Sequence, residues 1–422
     1  VDKKSLPEIE LKKNDVIMAE TETQKFLVAK ISKLLNIDKV SIDDDFFTIG
    51  MDSLLAIRFS MEIYNDLKVN LSIKEIFSNN TIRKLAEYLD NSFVNSSEEN
   101  ISQVAEKEFY DLSSAQKRIY YASKMIGEEN IVYNVPGAIL VNEILNKEKV
   151  EKCFKKIIEK QSVFRTCFVI NNEEVKQKIQ NKVKFNVETF ENENSELENI
   201  INNFPKPFNL ESAPLLRVEL HYLDSKKTLL LLDSHHIIMD GSSLEILIND
   251  FCKLYNGEEI SKLDIEYKDF AEWEQKYIKS ESVKEVEEYW INKFKDSDIP
   301  SVNLPYDYNM PSLRSYKGNT ITKKINKKDF NKYLAYAKEL GVSPYMFFLS
   351  AFFILLYKYT GQEELILGTP TAGRDKYQLK NIIGMFVNNL VVDAKINSSD
   401  SFIEFLQKIK QQVMEDLIHQ DY

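Results

Sequence analysis

His235 and His236 sit side by side near the middle of a 422-residue chain that contains four histidines. Asp240 follows His236 by four residues, and Gly241 comes next. Imidazole titrates near neutral pH and can move a proton, while a neighbouring carboxylate can hold a ring or a loop in place. Adjacent residues of a strand point to opposite sides, so at most one of the two rings faces a given cavity. A histidine on an apolar element is most often an ordinary core residue, and that alternative stays open here. A zinc site is a poor fit: His221 and His419 lie far off in sequence and no third ligand falls at a helpful spacing. No metal is expected. A second reactive candidate is Ser53, where a loop enters a predicted helix. A hydroxyl in the first helical turn lies at the positive end of the helix dipole, where a phosphodiester is well placed. It could equally be a plain helix cap.

The elements that must position these residues are legible in outline. Leu229 to Leu232 is a solid apolar run that reads as a buried strand, and Asp240-Gly241 gives a turn signal after it. Near the N-terminus, an apolar stripe over 26–35, a helix over 52–67, a short turn of helix over 73–77 and a helix over 81–89 predict a small four-helix bundle, with Thr81 able to cap the last. Ser41 to Asp45 is an acidic loop, either a solvated turn or a docking surface for a basic enzyme. Residues 92–107 have no hydrophobic period and read as an exposed linker. Beyond them, helices over 149–160, 242–255, 283–294, 327–340 and 343–359 alternate with strands over 164–170, 215–222, 227–234, 364–368 and 386–392, an α/β or α+β pattern.

Composition narrows the function. A net charge of -11 argues against a nucleic-acid binder. No apolar run approaches the roughly 20 residues of a membrane span; the longest, Met346 to Tyr357, is interrupted by Ser350 and reads as a buried helix. Cys153, Cys167 and Cys252 are scattered and odd in number, as expected of buried free thiols in a reducing, cytoplasmic compartment.

Two resemblances are carried by motifs. Phe46-Phe47-Thr48-Ile49-Gly50-Met51-Asp52-Ser53-Leu54 resembles the attachment motif of peptidyl carrier proteins, which implies that Ser53 carries 4'-phosphopantetheine; Met51 stands where that family usually has glycine. His235-His236-x-x-x-Asp240-Gly241 resembles the core motif of nonribosomal peptide synthetase condensation domains. Five further segments agree in the family's order: 114–120, 164–168, 267–273, 368–374 and 383–389, with 419–422 like the start of another. Lys160-Gln161-Ser162 depart from the family's Arg-His-Glu. Val1 to Pro7 resembles the tail of an adenylation domain.

The resemblance implies a multidomain chain: an adenylation tail or linker over 1–18, an all-α four-helix carrier over 19–91, a linker over 92–107 and an α/β condensation domain over 108–422. That domain would hold two chloramphenicol-acetyltransferase-like lobes, over about 108–275 and 276–422, the second incomplete because the family runs well past the position of Tyr422. The implied reaction is attack of an acceptor amine on the donor thioester held by the carrier. His236 would be base or positioning group, His235 a packing partner, and Asp240 a loop-holding carboxylate paired with Arg374. Gly241 would make a tight turn with its N–H toward an oxyanion, and Arg165 would be structural support. Implied partners are an upstream adenylation domain, a downstream acceptor carrier, a phosphopantetheinyl transferase and aminoacyl or peptidyl thioesters. No epimerisation domain separates carrier from condensation unit, which implies an L-configured donor. A carrier–epimerisation pair, or a scaffold that only docks carriers, are the competing readings.

Overall fold

The computed structural model describes residues 16–421 except 38, 52, 68, 70, 72, 93–100, 192–195, 296–300, 310, 312–315, 317 and 375. Residues 1–15 of the expected tail over 1–18, Asp52, Tyr422 and the side chain of Ser53 lie outside what is described. The chain begins with helices α1 (Glu22–Leu35), α2 (Ser53–Leu67), α3 (Ile73–Ser78) and α4 (Ile82–Ser92). Next come α5 (Ser114–Ile126), β1 (Gly137–Val141), α6 (Lys147–Lys160), β2 (Thr166–Asn171), β3 (Glu174–Ile179), β4 (Glu188–Glu191), α7 (Leu197–Asn203), β5 (Leu216–Asp224) and β6 (Lys227–Ser234). The remainder is α8 (Gly241–Tyr255), α9 (Tyr267–Tyr277), α10 (Lys284–Phe294), α11 (Lys327–Glu339), α12 (Pro344–Thr360), β7 (Glu364–Thr371), β8 (Asn388–Lys395) and α13 (Phe402–Ile418). They divide into two compact units: Val1–Glu99 with Thr322–Glu364 and Ala394–Ile418, and Asn100–Ile321 with Leu365–Asp393 and His419–Tyr422.

In the first unit, Thr21 and Gln24 close a capping box that starts α1. Leu27, Ile31, Phe46, Phe59, Ile63, Leu85 and Leu89 bury their side chains in one cluster, each contributing about 1.5–3 kcal/mol of hydrophobic burial. Thr81 accepts from the Lys84 N–H at 3.3 Å and caps α4, as its sequence position suggests. The acidic loop is a turn with Asp43 exposed to solvent, and each of its carboxylates has a partner. Asp43 pairs with Arg83 at 2.7 and 2.9 Å, Asp44 accepts from the Ser41 N–H, and Asp45 accepts from the N–H groups of Phe47 and Thr48. The hydrogen bond from Arg83 holds the Asp43 carboxyl below its ordinary pKa. Helix α12 is not buried all round as its apolar run suggests. Met346, Ser350, Phe353 and Leu356 face inward at helical spacing, while Phe352, Leu355 and Tyr359 are exposed.

The second unit is built on a four-stranded sheet in the order β1-β6-β5-β4, antiparallel except for β4 against β5. Two two-stranded sheets, β2-β3 and β7-β8, complete the strands among the described residues, and none of the three sheets closes. Strand β6 is covered on both faces. Leu230 and Leu232 belong to the main core, while Leu229 and Leu231 pack with Phe204 on the opposite side. Several strand boundaries differ from the sequence pattern, and two of the starts have a visible cause. Residues 162–165 form a 3-10 turn, so β2 starts at Thr166. Strand β8 starts at Asn388 because the Phe386 N–H is taken by the Asp240 carboxylate. The described end of the expected linker is mostly exposed but is tied down at two points. Ile101 is buried and exchanges two hydrogen bonds with the Gln378 side chain, and the Val104 N–H donates to Asp269. Cys153 and Cys167 are buried thiols, but Cys252 is exposed on α8.

Candidate functional site

The paired histidines follow the end of β6 directly. A strap over 131–135 runs antiparallel to them: the His236 N–H donates to the Tyr133 carbonyl at 2.7 Å, Val135 N–H donates to the Ser234 carbonyl at 2.7 Å, and Asn134 bridges to His235. The two rings then part company. His235 is 3% exposed, flanked by the Tyr133 ring at 6.1 Å and the Phe208 ring at 6.3 Å. Its Nδ1 accepts the Ile237 N–H at 3.2 Å. Burial, reinforced by the neighbouring His236, pushes its pKa down to about 4, so it is a neutral ring at physiological pH. His236 is only half-buried, and its Nδ1 is a buried nitrogen with no hydrogen-bond partner.

Asp240 is fully buried and every interaction it makes is structural. It caps α8 by accepting the Ser243 N–H at 2.8 Å, accepts the Phe386 N–H at 3.1 Å, and pairs with Arg374 at 3.1 and 3.3 Å. Arg374 donates further to the carbonyls of Leu379 and Ile382 and to Ser243 Oγ, and its guanidinium lies 4.1 Å from the centre of the Phe386 ring. Ser243 Oγ in turn donates to the Gly384 carbonyl and accepts the Gly384 N–H. Two glycines make this closure possible. Gly373 has φ +59°, and a Cβ there would collide with the Phe386 carbonyl; a Cβ on Gly384 would collide with the Tyr267 ring. Tyr267 is itself fully buried, donating to the Met385 carbonyl at 2.5 Å and sharing a hydrogen bond with Ser113 at 2.7 Å.

Of the residues singled out in the sequence, the structure therefore pairs Asp240, four residues after His236, with Arg374. Gly241 is not in a tight turn. It is the first residue of α8, outside the left-handed region, and a Cβ there would meet nothing within 4 Å. As a first-turn amide, its N–H has no carbonyl to reach within the helix. Arg165 stands apart from the histidines, donating to the carbonyls of Ile158 and Gln180. Gln161, at the departure from the family motif, ties the Asn381 carbonyl and the Ile383 N–H with its amide. Tyr120 and Phe386 are core residues, and Trp273 packs against that core. Sequence reasoning missed Ser243 and the strap residue Asn134. Ser243 had a signal, three residues after a capping Asp; Asn134 had none. Among the described residues no group of three or more His, Cys, Asp or Glu gathers to hold a metal, and no single helix is long and apolar enough to cross a membrane.

Ser53 is the first residue of the fifteen-residue α2, with no acidic residue in its first turn. The loop that delivers it is anchored by Phe46, Phe47 and Met51, all buried in the bundle core, with the Met51 N–H donating to the Phe46 carbonyl at 2.8 Å. The unusual Met51 thus serves as a core side chain. A serine backbone held at this helix start fits a phosphodiester-linked arm.

The fold is that of the condensation domains of peptide-assembling enzymes, joined to a carrier bundle. Solved structures bear this out: the X-domain from teicoplanin biosynthesis aligns with TM-score 0.69 at 20% identity, over 76% of this chain and 74% of its own. A holo four-domain nonribosomal peptide synthetase bound to AMP and glycine aligns with TM-score 0.66 at 23% identity, over 77% of this chain and 25% of its own. Residues 106–422 match the model of the condensation domain, and residues 25–89 match that of the phosphopantetheine attachment site. Bacitracin synthase 3 of Bacillus licheniformis is 36% identical over the whole chain, and gramicidin S synthase 2 of Aneurinibacillus migulanus is 37% identical, again over all of it. Tyrocidine synthase 3 of Brevibacillus parabrevis is 38% identical over 96%. The chain belongs to the condensation-domain family of nonribosomal peptide synthetases and includes a carrier domain of the kind that bears covalent 4'-phosphopantetheine. It spans 7%, 10% and 6% of the length of those three relatives.

Proposed function

We propose that this chain forms amide bonds between an acyl group carried at Ser53 and the amine of a downstream acceptor. The domain boundaries that serve this reading are a carrier over 19–91 and a condensation domain over 108–422. When bound, 4'-phosphopantetheine supplies an acyl thioester on a long arm. A C–N bond forms at the acyl carbonyl, the C–S bond breaks, and the nitrogen gives up a proton. His236 accepts that proton or holds the amine in its neutral, attacking form. The observation that carries this assignment is the contrast between the rings: His235 is sealed and kept neutral, while His236 remains accessible. Asp240 does not act as a relay, because its oxygens are committed to Arg374, Phe386 and Ser243. It anchors α8 and so places the first-turn amide of Gly241, the remaining candidate for stabilising an oxyanion. Tethering of both reactants supplies much of the rate, since positioning alone can be worth about 7–11 kcal/mol.

The partners this requires are an adenylation domain that loads the carrier, a phosphopantetheinyl transferase, and an acceptor carrier. Three unpaired cysteines suit a reducing, cytoplasmic setting. Intact-protein mass spectrometry tests the carrier half. Treatment with a phosphopantetheinyl transferase and aminoacyl coenzyme A should add an acyl-phosphopantetheine mass to the wild type and none to Ser53→Ala. Supplying an aminoacyl N-acetylcysteamine thioester as acceptor should then discharge the acyl group as a dipeptidyl product. An adduct retained by Ser53→Ala would refute the attachment assignment.

A further inference from the structure

Resting on the reading that His236 handles the amine, one cluster beneath the histidines has a use that the reaction itself does not specify. Asp233 lies two residues before His235, fully buried, directly after the apolar run Leu229 to Leu232. Its Oδ2 accepts from the Asn134 side-chain amide at 2.7 Å and from Arg217 at 2.9 Å, while its Oδ1 is buried without a partner. Asn134 also donates to the Lys206 carbonyl at 2.9 Å. Arg217 donates to the carbonyls of Lys206 and Pro207, and its guanidinium lies 3.7 Å from the centre of the Phe208 ring. Phe208 is the ring that meets His235 edge-on. The contacts form a closed circuit: β6, the strap, the loop over 206–208 and β5 are tied to one another around His235.

His236 needs such a circuit. In acid–base sites the working imidazole is usually oriented by a hydrogen bond from its second nitrogen to a carboxylate or carbonyl. Here Nδ1 has no partner, and of the two carboxylates nearest in sequence Asp240 is spent on Arg374 and Asp233 on Asn134 and Arg217. With no bond at Nδ1, the ring's direction depends on its backbone, which the strap grips through the bond from the His236 N–H to the Tyr133 carbonyl. The strap lies in no named strand, so Asn134 is the side chain that fastens it to β6. A buried carboxylate with one unpartnered oxygen is a costly way to hold two hydrogen bonds, which argues for a specific task at this place.

We propose that Asp233, Asn134 and Arg217 form a clamp that fixes the His235–His236 backbone and thereby the direction of the His236 ring, making all three positioning residues for amide formation. The test uses Asn134→Ala, Arg217→Lys and His236→Ala in the polypeptide that carries this chain, loaded at Ser53 and supplied with an aminoacyl N-acetylcysteamine acceptor. The first two variants should lower kcat by about tenfold or more while leaving the acceptor KM within about threefold, as expected of misplacement rather than lost binding. The ring resonances of His236 should move in both variants by NMR, with those of His419 unmoved. Folded variants with wild-type kcat and unmoved His236 resonances would overturn the clamp. So would loss of folding in both variants, because the cluster would then hold the domain together rather than aim a ring. If His236→Ala keeps the wild-type rate, it is the role of His236 in the reaction that fails, and the ring resonances alone decide on the clamp.

Discussion

The carrier bundle and the histidine-bearing sheet hold their reactive residues by opposite means. Ser53 sits at a helix start reached by a short loop, and the bonds that shape that loop are mostly local: Asp45 serves Phe47 and Thr48, and Met51 reaches back to Phe46. His236 sits at a strand end whose supports come from distant parts of the chain. Asp240 meets a partner 134 positions away in Arg374 and another 146 away in Phe386, and the strap that grips His236 begins about a hundred residues earlier. A local site tolerates the loss of one support because its neighbours in sequence keep it in place. A non-local site built from buried charges does not, since each loss strands a partner in a low-dielectric interior.

The sharpest way to break this comparison is Arg374→Ala. Removing the guanidinium leaves Asp240 buried and uncompensated, and should cost about 3–5 kcal/mol in denaturant unfolding. A loss no larger than that of an exposed pair would erase the distinction. The next effect is a pH dependence. Burial raises Asp233 from 3.8 to about 6, so the folded protein keeps a proton that the unfolded chain has lost, and this contribution weakens as pH rises from about 4 to 6. His235 is lowered from 6.5 to about 4, so the unfolded chain binds a proton that the folded protein refuses, and stability falls as pH drops from 6.5 to 4. The two trends oppose each other in the wild type. Asp233→Asn should unmask the histidine and lose about 3 kcal/mol of unfolding free energy between pH 6.5 and 4. Urea midpoints that run parallel to the wild type across that range would contradict the pair of buried groups.

Gly384→Ala should follow in size. The added methyl meets the Tyr267 ring, which is fixed by Met385 and Ser113, and the overpacking should cost about 1–3 kcal/mol by thermal or chemical unfolding. The smallest effect belongs to the carrier. Asp45→Ala removes the acceptor for two loop amides and for the Asn80 side chain, and should cost about 1 kcal/mol while Ser53 still takes the phosphopantetheine adduct. A collapse of the bundle in that variant would mean that its site is as interdependent as the other.

The same contrast governs what the sequence made legible. The carrier motif lies in nine consecutive residues, so its helix, its loop and Ser53 could be read directly. The histidine motif was equally plain, and Arg374 could be named as the partner of Asp240 only because a second motif carried it. Asn134 and Arg217 could not be named: they act through contacts that exist once β5, β6 and the strap have paired, and neither lies in a periodic or turn pattern. Helix α13 went unread although Phe405, Ile409 and Val413 recur at helical spacing, and the capping box of Ser113 and Gln116 before α5 carried a start signal that was not used. Helix α12 was misread because a continuous apolar run says nothing about which faces are covered. The described end of the linker is mostly exposed, but its anchoring through Ile101 and Val104 was illegible because their partners lie far along the chain.

The most direct measurement is the single-turnover rate of amide formation from acyl-loaded Ser53, compared between wild type and His236→Ala in the polypeptide that carries this chain. With His236 as the accessible imidazole that handles the amine, the variant should be slower by about 10²–10⁴-fold with its carrier still fully loaded. A rate within twofold of the wild type would contradict that role and leave the paired histidines as packing alone.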